Sequence, residues 1–290
     1  MADLDLRPLS LGEILDRTFA LYRRNFVLFL GIAALPQLLI LALNLVQLMM
    51  TPLPSTPAQQ AAGQLPAGPS GGLLAFGVIG VLVGIVVYII AYLFAQGGTV
   101  YAVSDLYLGR PTSIGTSLGR MRGQLGSLFG VTVLNGLVIM AATVLFIIPG
   151  VYMACRLITC VPAALLEDLG PRSSLERSFA LTKDNAGRAF VIYFLYFILL
   201  YAAILLFMFP FAFVAGALSA KDPAMMRVWL AFSHFGNFIA AVLVQPFLTI
   251  ATAVFYYDLR VRKEAFDLQL MLNPAGTLPS ATPGAPRMLS

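Results

Sequence analysis

Long apolar runs alternate with shorter polar stretches along the whole chain. About 20 consecutive apolar residues are enough for a helix to cross a bilayer, and six runs reach or approach that length. They cover residues 26–50, 72–96, 127–148, 151–166, 189–218 and 228–257. The pattern therefore predicts an all-α, polytopic membrane protein with six transmembrane helices.

A polar segment with helical spacing of its apolar residues precedes three of these spans. In each segment a leucine is followed two positions later by an arginine, and then by the phenylalanine near the start of the span. The triads are Leu15, Arg17 and Phe26; Leu118, Arg120 and Phe129; and Leu175, Arg177 and Phe190. The arginine-to-phenylalanine spacing is nine in two copies and thirteen in the third, which is about one helical turn more. The predicted arrangement is three repeats of an amphipathic surface helix and a transmembrane hairpin.

The repeat divides the chain into three regions. Residues 1–25 are predicted to form a cytoplasmic amphipathic helix, and residues 26–268 a membrane domain with surface helices near 112–126 and 172–186. Residues 269–290 have no periodicity and are predicted to be a disordered cytoplasmic tail.

Short motifs mark the ends of the elements. Ser10 with Glu13 and Ser173 with Glu176 have the spacing of capping boxes, in which each side chain accepts a backbone hydrogen bond at a helix start. The Pro149–Gly150 pair is predicted to turn the chain between the third and fourth spans.

Composition supports membrane insertion. The chain is 59% hydrophobic and 11% charged, with a mean hydropathy of +0.88, whereas an average soluble domain is about 25% charged. The net charge of +5 does not point to nucleic acid, because the basic residues are clustered beside the spans. Cys155, Cys160 and His234 are too few and too scattered for a metal site, and no cofactor is predicted.

The positions of the lysines and arginines predict the orientation. Four polar segments on one side of the predicted spans hold 15 of the 18, the alternate loops hold only Lys221 and Arg227, and Arg156 lies inside a span. Basic residues favour the cytoplasmic side. We therefore expect a multi-pass protein of the bacterial plasma membrane with both termini in the cytoplasm.

Three stretches resemble the bacterial membrane domain named after glycerophosphoryl diester phosphodiesterases. They are LRPLSLGEILDRTFALYRRNF (6–26), PAALLEDLGPRSSLERSFALT (162–182) and AVFYYDLRVRKEAFDL (253–268). The resemblance implies a six-helix integral membrane protein of the plasma membrane. In the named enzymes catalysis belongs to a separate soluble barrel, which no segment outside these spans is long enough to form, so the activity is not carried over.

The densest polar cluster follows the last span. It consists of Tyr256, Tyr257, Asp258, Arg260, Arg262 and Lys263. One interpretation is an orientation anchor, with tyrosines at the headgroups and basic residues on anionic lipid. The other is a docking site that clamps the three surface helices through Arg17, Arg120 and Arg177. In both, Asp258 is expected to pair with Arg262 four positions on.

Arg156 is the one charge well inside a predicted span, where ionisable residues are costly. It is expected either to extend to the outer interface or to form a buried polar site with Asn135, Asn237 or Gln245. Both alternatives remain open from the sequence alone.

Glu167 and Asp168 are adjacent carboxylates, but consecutive helical positions point about 100° apart. Pairing with Arg172, Arg177 or Arg188 is therefore favoured over acid–base catalysis. The sequence predicts a non-enzymatic protein that organises anionic lipid, or a membrane or cytoplasmic protein partner, at the cytoplasmic face. The alternative is a small-molecule or lipid transporter or channel, which polar residues within the spans would favour.

Overall fold

A computed structural model of the protein describes residues 7–50, 71–218 and 223–264, apart from the side chains of 71–79, 223 and 224. The described residues form helices and no strands. In order the helices are α1 (Leu11–Arg24), α2 (Phe26–Met50), α3 (Gly71–Tyr107), α4 (Ile114–Gly119), α5 (Leu125–Leu145), α6 (Ile147–Arg156), α7 (Cys160–Leu166), α8 (Pro171–Thr182), α9 (Ala186–Phe207), α10 (Phe209–Leu218) and α11 (Pro223–Glu264). A 3₁₀ turn, Arg120–Gly123, connects α4 to α5.

Six helical segments among the described residues are long and apolar enough to cross a membrane, which confirms the all-α prediction and the number of candidate spans. They are Phe26–Met50, Gly80–Tyr107, Leu125–Leu145, Ile147–Leu166, Ala186–Phe207 and Met225–Glu264. A short helix precedes an apolar helix at α1, α4 and α8. The three-fold repeat itself stays a prediction. The tail predicted at 269–290 lies outside the described residues.

The chain divides into two compact units. The first contains the described residues up to Phe26, Gln96–Phe194, and the described residues from Leu248 onwards. The second contains Val27–Ala95 and Leu195–Phe247, as far as they are described. In the first unit α5 packs against α6, α7 and α8. The candidate site lies entirely in this first unit.

Helix α1 begins where the capping box predicts. The Glu13 N–H donates to the Ser10 hydroxyl at 3.3 Å, and the Ser10 N–H donates to the Glu13 carboxylate at 2.6 Å. The Ser10 backbone bond, the Ser10 hydroxyl and Arg7 together lower the pKa of Glu13 to about 2. The predicted box at Ser173 and Glu176 is wrong. Helix α8 starts three residues earlier than this box implies, at Pro171 with Gly170 as its N-cap, because proline suits the first helical position.

The predicted turn at Pro149–Gly150 is also wrong. The break falls at Phe146, whose backbone is extended, and both residues lie in the first two turns of α6. Proline is tolerated there because the N–H that it lacks has no partner within the helix. A Cβ on Gly150 would lie 2.1 Å from the Thr143 hydroxyl and 2.8 Å from the Thr143 Cα. The glycine therefore permits close packing of α5 on α6.

The second span was predicted to end at residue 96, but α3 continues to Tyr107. Residues 97–104 are buried, and a Cβ on Gly97 would lie 2.2 Å from the Met121 sulfur. Packing in the first unit thus outweighs the low helix propensity of the glycines. The last span was predicted over 228–257, whereas α11 extends to Glu264 with Pro246 inside it. The fifth predicted span divides into α9 and α10 around residue 208.

In the second unit, Gly236 allows a close helix–helix approach. A Cβ at this position would lie 1.8 Å from the Phe207 carbonyl oxygen and 3.0 Å from the Met208 Cα. We expect Gly236→Ala to reduce the free energy of unfolding by about 1–3 kcal/mol or more, because backbone cannot move aside as a flexible side chain can. The measurement is the thermal unfolding midpoint in detergent.

Gly216→Ala is the matched control for this prediction. Among the described residues beyond the adjoining backbone of its own helix, no atom lies within 4 Å of a Cβ built on Gly216, so the substitution should be neutral or slightly stabilising in a helix. Equal midpoints for the two variants would contradict the close approach at Gly236.

Candidate functional site

The end of α11 is the most completely buried part of the described chain. All residues from 251 to 261 are buried, on every side of the helix. Two of them, Asp258 and Arg260, carry charge and are 1% and 4% exposed. Buried charges are stable only when they are paired and hydrogen-bonded. The partners of these residues therefore identify the site.

A first group, the Glu167 cluster, contains Glu167, Arg177, Tyr256, Arg260 and Glu264. The Glu167 carboxylate accepts hydrogen bonds from Arg177 Nε at 2.7 Å and from the Tyr256 hydroxyl at 2.6 Å. Arg177 Nη1 lies 2.5 Å from Glu264 Oε1, and Arg260 Nε donates to Glu264 Oε2 at 3.1 Å. Two carboxylates and two guanidinium groups thus connect the end of α7, the middle of α8 and the end of α11.

Arg177 is the central cation of this cluster. Burial opposes its charge, but hydrogen bonds to Glu264 and Glu167 outweigh burial and raise the pKa of Arg177 above its ordinary value. Arg177 therefore stays charged at neutral pH. Its side chain is 20% exposed and that of Glu167 is 2% exposed, so this ion pair is mostly shielded from water.

A second group, the Asp258 cluster, contains Leu9, Arg188, Asp258 and Arg262. The Leu9 N–H donates to Asp258 Oδ1 at 2.7 Å, and Arg188 Nη1 lies 2.8 Å from Asp258 Oδ2. Arg262 Nε donates to Asp258 at 3.1 Å, which confirms the predicted pair. Arg188 and Arg262 also donate to the Leu9 carbonyl. The cluster fixes the segment before α1 and the start of α9 on α11.

Tyrosines extend this arrangement to α1 and α3. The hydroxyls of Tyr257 and Ser104 are 2.7 Å apart, and the ring of Tyr257 stacks on Tyr107 with centroids 4.8 Å apart. Arg17 Nη1 donates to the Tyr107 hydroxyl at 3.2 Å. Arg17 therefore reaches α11 through an aromatic stack on α3.

Arg120 takes a different partner from the one that the clamp hypothesis assigns to it. Its Nη1 lies 3.0 Å from Asp105 Oδ1, and its guanidinium lies over the Tyr101 ring at 4.3 Å. Both contacts are with α3. Of the three arginines in the clamp hypothesis, Arg177 contacts α11 directly, Arg17 contacts it through Tyr107, and Arg120 secures the 3₁₀ turn to α3.

The orientation-anchor interpretation is wrong for three of its residues. Tyr256, Tyr257 and Arg260 are 0%, 1% and 4% exposed, because they pack in the centre of the first unit and not against lipid. Arg262 and Lys263 are exposed, and Lys263 Nζ donates to the carbonyls of Ala180 and Lys183 at 2.9 and 3.0 Å. Only these two residues of the predicted lipid-facing group have a surface that lipid can reach.

Both sequence-based alternatives for Arg156 are replaced by a third arrangement. Arg156 Nη2 donates to the Phe179 carbonyl of α8 at 2.7 Å, and its own carbonyl accepts from Ser178 and Thr182. Gln245, a predicted partner, instead accepts a hydrogen bond from Gln37 at 2.5 Å in the second unit. Among the residues that the structure describes, Asn135 Oδ1 is buried and has no hydrogen-bond partner.

The contact between Arg156 and α8 has a signal in the sequence of α8. Ser174, Ser178 and Thr182 recur every four positions and are all buried. Such a line of small hydroxyl residues on one helix face allows close packing and hydrogen bonding between apolar helices. The Thr159 and Ser178 hydroxyls are 2.9 Å apart along this line.

The geometry favours structural pairing over acid–base chemistry for the adjacent carboxylates. Glu167 pairs with Arg177, as predicted, while Asp168 accepts a hydrogen bond from Gln124 at 2.8 Å. The two side chains therefore face different partners. Over the described ranges, no three histidine, cysteine, aspartate or glutamate side chains are grouped so that they could hold a metal ion.

Sequence reasoning missed Leu9 and Glu264 as members of the site. Leu9 acts through its backbone, which no residue-type pattern reveals. Glu264 lies four positions after Arg260 on a helix that was predicted to end at 257, so extending that helix would have identified the pair.

Comparison with known proteins does not identify a relative. No protein-family model matches the sequence, and no significant match is found among curated proteins or solved structures. The resemblance to the phosphodiesterase membrane domain therefore stays a prediction, and the function has to be argued from the structure.

Proposed function

We propose that this protein is a non-enzymatic integral membrane protein that organises anionic lipid at the cytoplasmic face of a bacterial plasma membrane. The apolar helical segments account for membrane insertion. The cytoplasmic orientation rests on the distribution of lysines and arginines in the sequence. One observation carries the lipid assignment, namely the separation of acidic from basic side chains in the first unit.

The first unit exposes more basic side chains than acidic ones. The side chains of Glu167, Asp258 and Asp105 are 2%, 0% and 13% exposed. Among the described residues of this unit, ten basic side chains are exposed and only four acidic ones. The exposed basic residues are Arg7, Arg23, Arg24, Arg110, Arg120, Arg122, Arg172, Lys183, Arg262 and Lys263. The surface therefore carries an excess of positive charge although the interior is nearly neutral.

Such a surface attracts anionic headgroups. Each basic residue near a negatively charged leaflet contributes about 1 kcal/mol of binding, and the effect extends over about a Debye length. The buried clusters hold α8 and the segment before α1 on α11. They therefore fix α1, which carries Arg23 and Arg24, and α8, which carries Arg172 and is followed directly by Lys183. We infer that the clusters provide a rigid support and that the exposed cations provide the lipid contact.

The test is to reduce the exposed charge without touching the clusters. The variant combines Arg23→Gln, Arg24→Gln, Arg122→Gln and Lys183→Gln. Since four cations are removed, we expect the enrichment of anionic over zwitterionic lipid to fall by at least about tenfold. Enrichment is measured by mass spectrometry of lipids that co-purify with the protein in native nanodiscs.

The control keeps the charge and changes the side chains, with Lys in place of Arg23, Arg24 and Arg122. It should retain the wild-type lipid profile, because the effect depends on charge and not on guanidinium geometry. The proposal fails if the neutral variant also keeps the wild-type profile while remaining folded. A stoichiometric protein that is lost with the charges, in place of lipid, would show that the surface binds a protein partner.

A second candidate function, transport of a small molecule or lipid, is favoured by polar atoms inside the apolar helices. Within the described ranges, Gln96 Oε1, Thr132 Oγ1, Asn135 Oδ1 and Arg156 Nε are buried and lack a hydrogen-bond partner. Buried polar groups of this kind mark substrate pathways in many membrane proteins. A flux in reconstituted vesicles that disappears in Asn135→Ala would favour this candidate over lipid organisation.

A further inference from the structure

The turn between α5 and α6 exposes an uninterrupted group of large apolar side chains. Val144, Leu145, Phe146, Ile147 and Ile148 are between 70% and 83% exposed. No polar or charged side chain occurs from Val144 to Val151. A turn that crossed the bilayer and emerged into water would be expected to carry polar residues, and exposed apolar patches of this kind are covered by another apolar phase.

The position of Arg156 indicates how deep in the membrane the C-terminal end of α6 lies. Arg156 is the last residue of α6, and its guanidinium donates to the Phe179 carbonyl of α8 at 2.7 Å. The Arg156 carbonyl accepts from the Thr182 hydroxyl at 2.8 Å. The C-terminal end of α6 is therefore held directly against the C-terminal half of α8.

Helix α8 lies at a water boundary. Its exposed positions, together with the residues that follow it, are mainly polar, namely Arg172, Ser173, Glu176, Lys183 and Asp184. Lys263, at the basic end of α11, donates to the carbonyls of Ala180 and Lys183. A helix with such a polar exposed face belongs at a membrane–water interface. Arg156, which contacts another face of α8, therefore belongs there too and not at the bilayer centre.

The length of α6 then limits how deeply the hairpin reaches. Helix α6 has 10 residues, which at about 1.5 Å per residue give a length of about 15 Å. The hydrocarbon core of a bilayer is about 30 Å thick. Even if α6 stood perpendicular to the membrane, the turn at Phe146 would reach only about the middle of the core.

The greater length of α5 does not alter this limit. Helix α5 has 21 residues, but its first part lies along α7 and α8. Gln124, just before α5, donates to Asp168 at 2.8 Å, and a Cβ on Gly130 would lie 2.9 Å from the Pro171 side chain. Only the second half of α5 projects beside α6.

We propose that α5 and α6 form a re-entrant hairpin that enters and leaves the bilayer from one side, with its turn among lipid acyl chains. The exposed apolar surface then contacts the acyl chains of one leaflet, up to the bilayer midplane. The backbone at the turn is partly satisfied within the hairpin itself. The Phe146 N–H donates to the Ala142 carbonyl and the Gly150 N–H to the Phe146 carbonyl, and Pro149 has no N–H that would need a partner.

This inference goes beyond lipid organisation at the surface and does not depend on it. Four apolar segments then cross the bilayer, and the third and fourth do not. Because the hairpin returns to the side from which it starts, both termini remain on the same side of the membrane.

The experiment places single cysteines in a background in which Cys155 and Cys160 are replaced by alanine. Ile147→Cys probes the turn, Val144→Cys is a second turn position in case the first variant does not fold, and Ser173→Cys on α8 is the water-exposed control. Vesicles opened to both faces by freeze–thawing are treated with a membrane-impermeant maleimide. We expect Ser173→Cys to react and both turn variants to stay unreacted.

A measurement of the depth of the turn in the bilayer adds a test in which the proposal predicts a signal and not the absence of a reaction. The turn cysteines are labelled with a fluorophore in detergent and reconstituted with lipids that carry a quencher at known depths. Quenching should be strongest with quenchers near the ends of the acyl chains, and aqueous iodide should have little effect. Maleimide labelling of the turn in opened vesicles, or strongest quenching by headgroup or aqueous quenchers, would overturn the proposal.

Discussion

Replacing Glu167 with alanine is expected to reduce the free energy of unfolding by about 3–5 kcal/mol, the range found when one partner of a buried ion pair is removed. The substitution leaves Arg177 and the Tyr256 hydroxyl without the acceptor that lies 2.7 and 2.6 Å away. It also leaves the cluster with two guanidinium groups and one carboxylate, Glu264. Since the side chain of Arg260 is 5% exposed, water cannot replace the lost partner.

Buried Cys155 and Cys160 provide the measurement. A thiol-reactive dye that fluoresces on conjugation reports their exposure as the detergent-solubilised protein is heated. The wild-type midpoint should fall by several degrees or more in Glu167→Ala.

The control for this prediction is Glu176→Ala on the exposed side of α8. Glu176 pairs with Arg172 four positions earlier, but the two side chains are 67% and 91% exposed. Exposed pairs contribute about 0–1 kcal/mol, so the midpoint should hardly change. Equal shifts for Glu167→Ala and Glu176→Ala would contradict a special role for the buried carboxylate.

Replacing Asp258 with asparagine is the second large effect that we expect. Asparagine keeps an oxygen for the Leu9 N–H but removes the charge that Arg188 and Arg262 share at 2.8 and 3.1 Å. Because Asp258 is fully buried, the loss should also be about 3–5 kcal/mol. The substitution should destabilise the N-terminal segment first, because the Leu9 backbone holds this segment on α11.

Limited proteolysis distinguishes this local release from general unfolding. In Asp258→Asn, cleavage near residues 7–24 should begin at temperatures where the rest of the chain is still protected. Asp184→Asn is the control. Asp184 is exposed and has a left-handed backbone (φ 65°), which asparagine tolerates as well as aspartate. An unchanged cleavage pattern in Asp258→Asn would show that the cluster does not hold the N-terminal segment.

The sequence correctly predicted elements such as α1 and α2, which are determined by residues close together in the chain. The Ser10–Glu13 box places the start of α1 correctly, and the apolar run from Phe26 to Met50 coincides with α2. In both cases neighbouring residues determine the outcome. The break at Phe146 could not be predicted in this way, because Pro149 and Gly150 are compatible with either a turn or a first helical turn.

The sequence predicted which residues belong to the candidate site better than it predicted whether they are buried. Tyr256, Tyr257 and Arg260 were identified from their position after an apolar run, where tyrosine and arginine commonly face headgroups. Their burial depends on α3, α7 and α8 packing against the end of α11, which no single segment reveals. Arg156 was misplaced for the same reason. Its partner is the Phe179 carbonyl, and a backbone acceptor has no signature in the side-chain pattern.

The central claim is that buried carboxylates hold the peripheral segments on the end of α11. The pair of Asp258 and Arg188 tests it most directly, because the two residues belong to α11 and α9 and lie 2.8 Å apart. A double-mutant cycle compares the unfolding free energies of Asp258→Asn, Arg188→Gln and the combined variant with the wild type. We predict that the combined loss is smaller than the two single losses together by about 1–3 kcal/mol. Additive losses, equal within about 0.5 kcal/mol, would contradict the claim.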